Sequence, residues 1–248
     1  MQHWELILFF FAIAFIYSSV GFGGGSSYLA ILAVYQLPVY EMKLTSLICN
    51  IIVVTGGSIL FIRNKQADLK KMLPIVALSV PLAFAGAMLK ISADTFFILL
   101  GSSLVVAGML LLLRTNDSDK PLRSNPILSA GMGGAIGFLS GMVSIGGGIF
   151  LSPLLHLTRW DVPKKIAATA SVFILVNSVS GLIGQLSKQP SEPVQYYRIA
   201  LLGIAVLLGG QLGSRAGIKR FAPATIRKVT AVLVLAAGIE VLAKHLHI

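Results

Sequence analysis

The sequence predicts an all-α polytopic membrane protein made of two inverted-topology repeats, each a glycine-broken helix pair followed by three spanning helices. Three observations carry this prediction: apolar runs of span length, a motif written twice, and a one-sided distribution of basic residues. Of the 248 residues, 56% are hydrophobic and 12% charged, against roughly 25% charged in an ordinary soluble domain. Apolar stretches near 4–20, 44–62, 72–89, 95–113, 126–143, 166–187, 199–214 and 229–243 approach the roughly 20 residues a helix needs to cross a bilayer. At least six of them are expected to span.

The first stretch follows "MQHWE", which lacks the basic start of a cleaved signal peptide, so it is read as part of the fold. It ends at "VGFGGGSS", with Gly23, Gly24 and Gly25 in succession. The segment from Gly21 aligns with "SIGGGIFLSPLLHLTRWDVPKKIAATAS" from Ser144, where the triplet recurs as Gly146, Gly147 and Gly148. Farther on, Gly86 matches Gly213, Thr95 matches Thr225 and Gly108 matches Gly238. A tandem duplication accounts for these matches, with repeats at 1–120 and 121–248 joined by the polar, proline-containing linker 114–126. Within each repeat a short apolar segment follows the glycines, Ser26 to Tyr35 and Ile149 to Thr158, ahead of three longer spans. Pro74, Pro81, Pro153 and Pro163 mark helix starts or kinks.

The net charge of +11 would point to nucleic acid in a soluble domain. Here the Lys and Arg residues fall in connections or near helix ends, so the charge is a topology signal and no nucleic-acid partner is expected. If each glycine break merely interrupts one crossing, the basic residues divide ten against ten; if the short segment returns the chain to its starting side, they divide fifteen against five. The second partition places 63–71, 114–123, 159–165 and 215–228 in the cytoplasm and Lys43, Lys90, Lys188, Arg198 and Lys244 outside. It turns the second repeat upside down relative to the first, an arrangement common in secondary transporters, and puts both termini on the non-cytoplasmic face.

Non-helical backbone at membrane depth must be buried in protein or line a cavity. Glycine permits positive φ and close approach of a ligand, and successive N–H groups ahead of a helix N-terminus make an anion-binding nest. The alternative is tight helix packing through small residues, which the same glycines also permit. Ser26 and Ser27 add hydroxyls after the first break, and Ser144 and Ser152 flank the second. The following spans offer Thr45, Ser46 and Asn50, and Thr169, Ser171, Asn177 and Ser178, although a membrane Ser or Thr commonly bonds its own helix carbonyl. Gln185 and Gln211 are weaker candidates, and Arg159 and Arg215 are expected at the interface. All nine acids, Glu5, Glu41, Asp68, Asp94, Asp117, Asp119, Asp161, Glu192 and Glu240, lie in connections or near helix ends. Without a mid-membrane carboxylate, the interior suits an anion better than a cation. The candidate substrate-binding set is therefore Gly23, Gly24, Gly25, Ser26, Ser27, Thr45, Ser46, Asn50, Ser144, Gly146, Gly147, Gly148, Ser152, Thr169, Ser171 and Asn177.

No catalytic, metal or cofactor site is expected. Cys49 is the sole cysteine, which excludes an internal disulfide, and the four histidines show no ligand spacing. Ser144 with His156 invites a nucleophile and base, but no acid orients the pair and Gly21 replaces Ser144 in the first repeat. "GFGGGS" lacks the Lys and Ser/Thr of a nucleotide loop.

The motifs "GFGGG", "SIGGGIFLSPLL", "LTSL", "ATASVFILVNSVSGLIGQL" and "LLGGQLGSRAG" resemble the TauE/SafE family of sulfite exporters, also called the toluene-sulfonate uptake permease family. The resemblance covers nearly the whole chain. It implies a multi-pass inner-membrane or plasma-membrane transporter of small anions, typically sulfur-containing ones such as sulfite, sulfonates or sulfoacetate. Two departures stand out: Ala30 occupies the first repeat's equivalent of Pro153, and "CNIIVVTGG" is atypical. The expected partners are a small anionic substrate and the bilayer, with a homodimer left open. A carrier with alternating access and a passive channel both remain readings of this sequence.

Overall fold

The computed structural model describes residues 4–18, 22–112, 125–190, 193–220 and 223–245, and every regular element among them is a helix. In chain order they are α1 (Glu5–Ser18), α2 (Gly25–Val34), α3 (Val39–Arg63), α4 (Leu69–Met88), α5 (Ala93–Leu112), α6 (Pro126–Val143), α7 (Gly148–Leu157), α8 (Pro163–Leu186), α9 (Tyr196–Arg220) and α10 (Pro223–His245). Among the described residues, α3, α4, α5, α6, α8 and α9 are long and apolar enough to cross a membrane, as expected for a multi-pass protein. The linker and the expected 120/121 boundary fall almost wholly outside the described residues, as do His3, Gly21, Asp117, Asp119, Glu192 and His247.

Local chemistry sets several helix starts. The Asp68 carboxylate accepts from the Lys71 backbone N–H at 3.2 Å to cap α4, and the Asn125 side chain accepts from Ile127 and Leu128 to cap α6, each satisfying otherwise orphaned donors. Pro126 and Pro163 sit in first turns, where a missing N–H costs nothing. Pro74, Pro81 and Pro153 lie inside helices.

α1 rises roughly 21 Å, short of a bilayer's roughly 30 Å hydrocarbon core, and α2 folds back along it. Phe10 stacks on Tyr28 with centroids 4.6 Å apart, the Tyr17 and Ser27 hydroxyls hydrogen-bond at 2.6 Å, and near the far end Tyr35 bonds Glu5. The glycine break is thus the tip of a hairpin that returns the chain to its starting end.

Contacts in one half recur in the other. A Cβ at Gly86 would strike the Phe138 carbonyl and one at Gly213 the Phe15 carbonyl, so α4 meets α6 as α9 meets α1, at backbone distance. α5 crosses α10 where a Cβ at Gly101 would lie 3.1 Å from the Gly238 carbonyl and one at Gly238 2.9 Å from that of Gly101.

Connections segregate to two ends. At one, Lys71 pairs with Asp161 at 2.9 Å and Lys165 lies 4.0 Å from Asp68. At the other, Arg198 pairs with Glu41 at 2.7 Å, the Lys188 ammonium donates to the Leu89 carbonyl at 2.8 Å, and Phe97 stacks on His245. Lys71 and Lys188 therefore sit at opposite ends of α8, which agrees with the fifteen-to-five partition and not the ten-to-ten one. α1 runs alongside α9, Phe11 at Gly209 and Phe15 at Gly213, and so starts at the Arg198 end; α6 runs alongside α4, Gly137 at Ser79 and Gly141 at Ala83, and so starts at the Lys71 end. The corresponding helices of the two halves run in opposite directions, consistent with inverted repeats.

Candidate functional site

The two breaks share a backbone solution. Gly24 (φ +89°) and Gly147 (φ +78°) are the N-cap residues of α2 and α7, both left-handed and neither supplying a side-chain cap. A Cβ at Gly24 would lie 3.0 Å from an Ile13 methyl, and one at Gly147 3.1 Å from an Ile136 methyl. Only glycine adopts this conformation readily, and it aims the uncapped first turn of each short helix inward. Ser144 (φ +66°) and Gly146 (φ +85°) extend the left-handed backbone of the second break.

One face of α3 binds the breaks together. The Asn50 amide donates to the Ile145 carbonyl at 2.9 Å. The Ser46 hydroxyl lies 2.9 Å from the Ser144 carbonyl and 3.2 Å from that of Gly25, so it can donate to either break. Glycine is required for this approach: a Cβ at Gly25 would fall 2.6 Å from the Ile145 carbonyl, one at Gly23 2.5 Å from Asn50 Oδ1, and one at Gly146 2.7 Å from Asn50 Nδ2 and 2.9 Å from Ser178 Oγ. At the second break Gly148 faces Ile174 as Gly25 faces Asn50, so the two halves of the site are chemically unequal.

The cluster is polar and incompletely satisfied. Asn50 Oδ1, Ser144 Oγ and Ser178 Oγ are buried around the breaks without a hydrogen-bond partner, and Tyr28 Oη, beside Gly24, is unpartnered too. Leaving such groups dry costs roughly 1–3 kcal/mol each, so the arrangement calls for a polar occupant. Both short helices also direct the positive ends of their dipoles here. Among the described residues, no group of three His, Cys, Asp or Glu side chains is close enough to hold a metal ion.

The other sequence candidates fall in different places. Ser26 is buried in the first turn of α2, and Ser27 is engaged with Tyr17. Thr45 bonds the Glu41 carbonyl of its own helix at 2.8 Å, the local alternative anticipated for such residues. Ser152 is buried within α7, and Thr169 Oγ1 is buried without a partner. Ser171 bonds Ser58 across α3 and α8 at 3.0 Å. Asn177 bonds Ser79 at 3.1 Å and the Phe173 carbonyl at 2.8 Å, tying α8 to α4. Gln185 lies near the Arg198 end of α8, away from the breaks, while Arg159 and Arg215 are exposed. His156 is in the last turn of α7, on the order of 13 Å of helix rise from the break, so it cannot act as a base on Ser144.

A cavity of about 300 Å³ opens between α1, α3 and α9, lined among others by Phe22, Val54, Gly57, Arg63, Ser171 and Gln211. It approaches the first break where Val54 would lie 3.2 Å from a Cβ at Gly23. Of its polar lining, the sequence had singled out only Ser171 and Gln211. Arg63, at the last turn of α3, reads as an ordinary interfacial charge, and Gly56 and Gly57 appear only as the atypical "TGG".

A multi-pass helical bundle with two opposed glycine breaks around a polar centre is the architecture of a membrane transporter. The comparisons agree: the family described as "Sulfite exporter TauE/SafE" matches residues 6–241, and the chain belongs to that family. It is 29% identical over 242 residues, 96% of this chain and 97% of the relative, to "Probable membrane transporter protein y4hK" of Sinorhizobium fredii. It is 24% identical over 212 residues to "Probable membrane transporter protein YunE" of Bacillus subtilis, covering 77% of each chain. With "Probable membrane transporter protein ORF9" of Sinorhizobium sp it shares 25% identity over 253 residues, 98% of this chain and 95% of the relative. No solved structure matches. Family and relatives indicate a membrane transporter and not an enzyme.

Proposed function

We propose that this protein is a secondary transporter of small anions, of the sulfite, sulfonate or sulfoacetate class, which bind between the two glycine breaks. The observation that carries this reading is the pair of buried hydroxyls Ser144 Oγ and Ser178 Oγ, both unpartnered where two helix N-termini converge. Hydroxyl and backbone donors recognise oxyanions without a counter-charge, and the family description supports sulfur oxyanions as the first class to test. Gly23 to Ser27 and Ser144 to Gly148 supply the cradle, with Ser46 and Asn50 as the floor common to both halves. Thr45, Ser152, Thr169, Ser171 and Asn177 lie outside this innermost set.

Access alternates between the two ends. The α3/α9 pair borders a cavity, and the α8/α4 pair is its counterpart. The second is closed by the Asn177–Ser79 bond, by Ser180 donating to the Val80 carbonyl at 2.6 Å, and by Lys188 on the Leu89 carbonyl. The protein is thus open toward the Lys71 end, which the basic-residue excess assigns to the cytoplasm of an inner or plasma membrane. Both termini then lie outside. Radiolabelled sulfite flux into proteoliposomes tests the reading: saturable flux, competed by sulfonates, is expected. Absence of flux and binding for every sulfur oxyanion would reject it, and single-channel currents in a planar bilayer would replace the carrier by a channel.

A further inference from the structure

Lys43 is 4% exposed, and among the described residues no carboxylate reaches its ammonium. Its Nζ lies 4.8 Å from the centre of the Phe96 ring. The nearby acids are otherwise placed: Glu41 is bound to Arg198 and to the Gln195 backbone N–H, and Asp94 is exposed at the start of α5. Among the described residues, Lys188, of like sign, acts on Lys43. Holding a cation on a nearly buried side chain with a ring face and a second cation for company is expensive.

Position explains it. At 100° per residue, Lys43, Asn50, Val54 and Gly57 project from one face of α3. Asn50 sits between the glycine breaks, and Val54 and Gly57 line the cavity toward the Lys71 end. Lys43 continues the same face toward the Arg198 end, roughly 10 Å of helix rise beyond Asn50. The second repeat has no counterpart; the aligned stretch of α8 there is "KIAATAS" with Ala167 and Ala168.

We propose that Lys43 is a second anion-binding station, one that receives a small oxyanion between the glycine breaks and the Arg198 end of the path. This rests on the transport reading above. The bound anion supplies the missing counter-charge, and the Phe96 face holds the ammonium between visits. The ammonium also makes the path selective, since a cation leaving the breaks would meet a buried like charge.

The test uses the full-length protein with sulfite as the probe, comparing wild type, Lys43→Met and Lys43→Arg for proteoliposome flux and for thermal stability with and without sulfite. Lys43→Met is expected to lower flux roughly tenfold or more and to shrink the sulfite-induced stabilisation, while leaving the anion-free protein as stable as wild type or more so. Lys43→Arg should retain most of the flux. Wild-type flux matched by Lys43→Met overturns this inference alone. Lost flux accompanied by lost anion-free stability in Lys43→Met also overturns it, because the lysine is then structural. Absence of both sulfite flux and sulfite stabilisation in the wild type removes the transport reading and this inference with it.

Discussion

Asn50 and Ile145 are 95 residues apart, and the Asn50 side-chain amide donates to the Ile145 carbonyl at 2.9 Å. A side chain of the first half thereby fixes the backbone break of the second, while its own Oδ1 stays unpartnered. α3 passes between the two breaks and joins them through Ser46 and Asn50.

Substitution of Asn50 separates this role from packing. Asn50→Leu removes the Ile145 bond and is expected to cut sulfite flux by about tenfold or more. Asn50→Asp adds a negative charge beside the proposed anion position, and flux should fall further. Proteoliposome transport with both variants at matched incorporation checks the order; equal activity in Asn50→Asp would speak against an anion at this position.

The glycines differ sharply in what they tolerate. A Cβ at Gly25 would fall 2.6 Å from the Ile145 carbonyl, whereas at Gly131 no atom beyond its own helix lies within 4 Å. Gly25→Ala is expected to lower stability by about 2 kcal/mol or more and to lose transport. Gly131→Ala should be neutral, or stabilising by up to about 1 kcal/mol through helix propensity. Thermal unfolding of the purified variants checks both.

Arg63 lines the open cavity at the Lys71 end. Its field should concentrate anions at the mouth, so Arg63→Ala is expected to slow anion capture several-fold at low ionic strength. The difference should narrow by about 0.5 M salt, where screening shortens the reach of the charge. Initial uptake rates at two salt concentrations, with this end facing the anion, provide the check.

The α4 and α8 starts are clamped by Lys71 and Asp161. Burial raises the Asp161 carboxyl, but the Lys71 hydrogen bond, the Val162 N–H and the charges of Lys71 and Lys165 outweigh it and hold the group below its ordinary 3.8. A depressed carboxyl contributes stability above its unfolded value, and that contribution is lost as pH falls through the lower folded value. Wild type should therefore exceed Asp161→Asn in unfolding temperature at pH 6–7. The two should converge only at acid pH well below 3.8, where the carboxyl is protonated in the folded protein as well.

The breaks, the helix count and the segregation of connections were legible because they depend on local features: three glycines, span-length apolar runs and basic residues that avoid the membrane. The chain's return at each break was legible through the charge partition, and α1 folding back through Tyr17–Ser27 agrees with it. Partner choice was not. Thr45 and Ser46 are neighbours of similar chemistry, yet Thr45 turns to its own helix and Ser46 to both breaks; helix rotation against distant segments decides this. Ser171 and Asn177 were both candidates on α8, but Ser171 pairs with α3 and Asn177 with α4. Arg63 was hidden because an arginine at a helix end is the normal interfacial residue, and only the gap between α3 and α9 gives it a cavity to line.

The central claim is that the buried, unpartnered hydroxyls of Ser144 and Ser178 await an anion. Equilibrium binding of radiolabelled sulfite to the purified protein in nanodiscs tests it most directly, with wild type compared to the Ser144→Ala, Ser178→Ala double variant. Because neither hydroxyl bonds the protein, their removal should leave unfolding temperature unchanged or raised. Sulfite affinity should nevertheless fall roughly tenfold or more. Undiminished binding in the double variant would contradict the account.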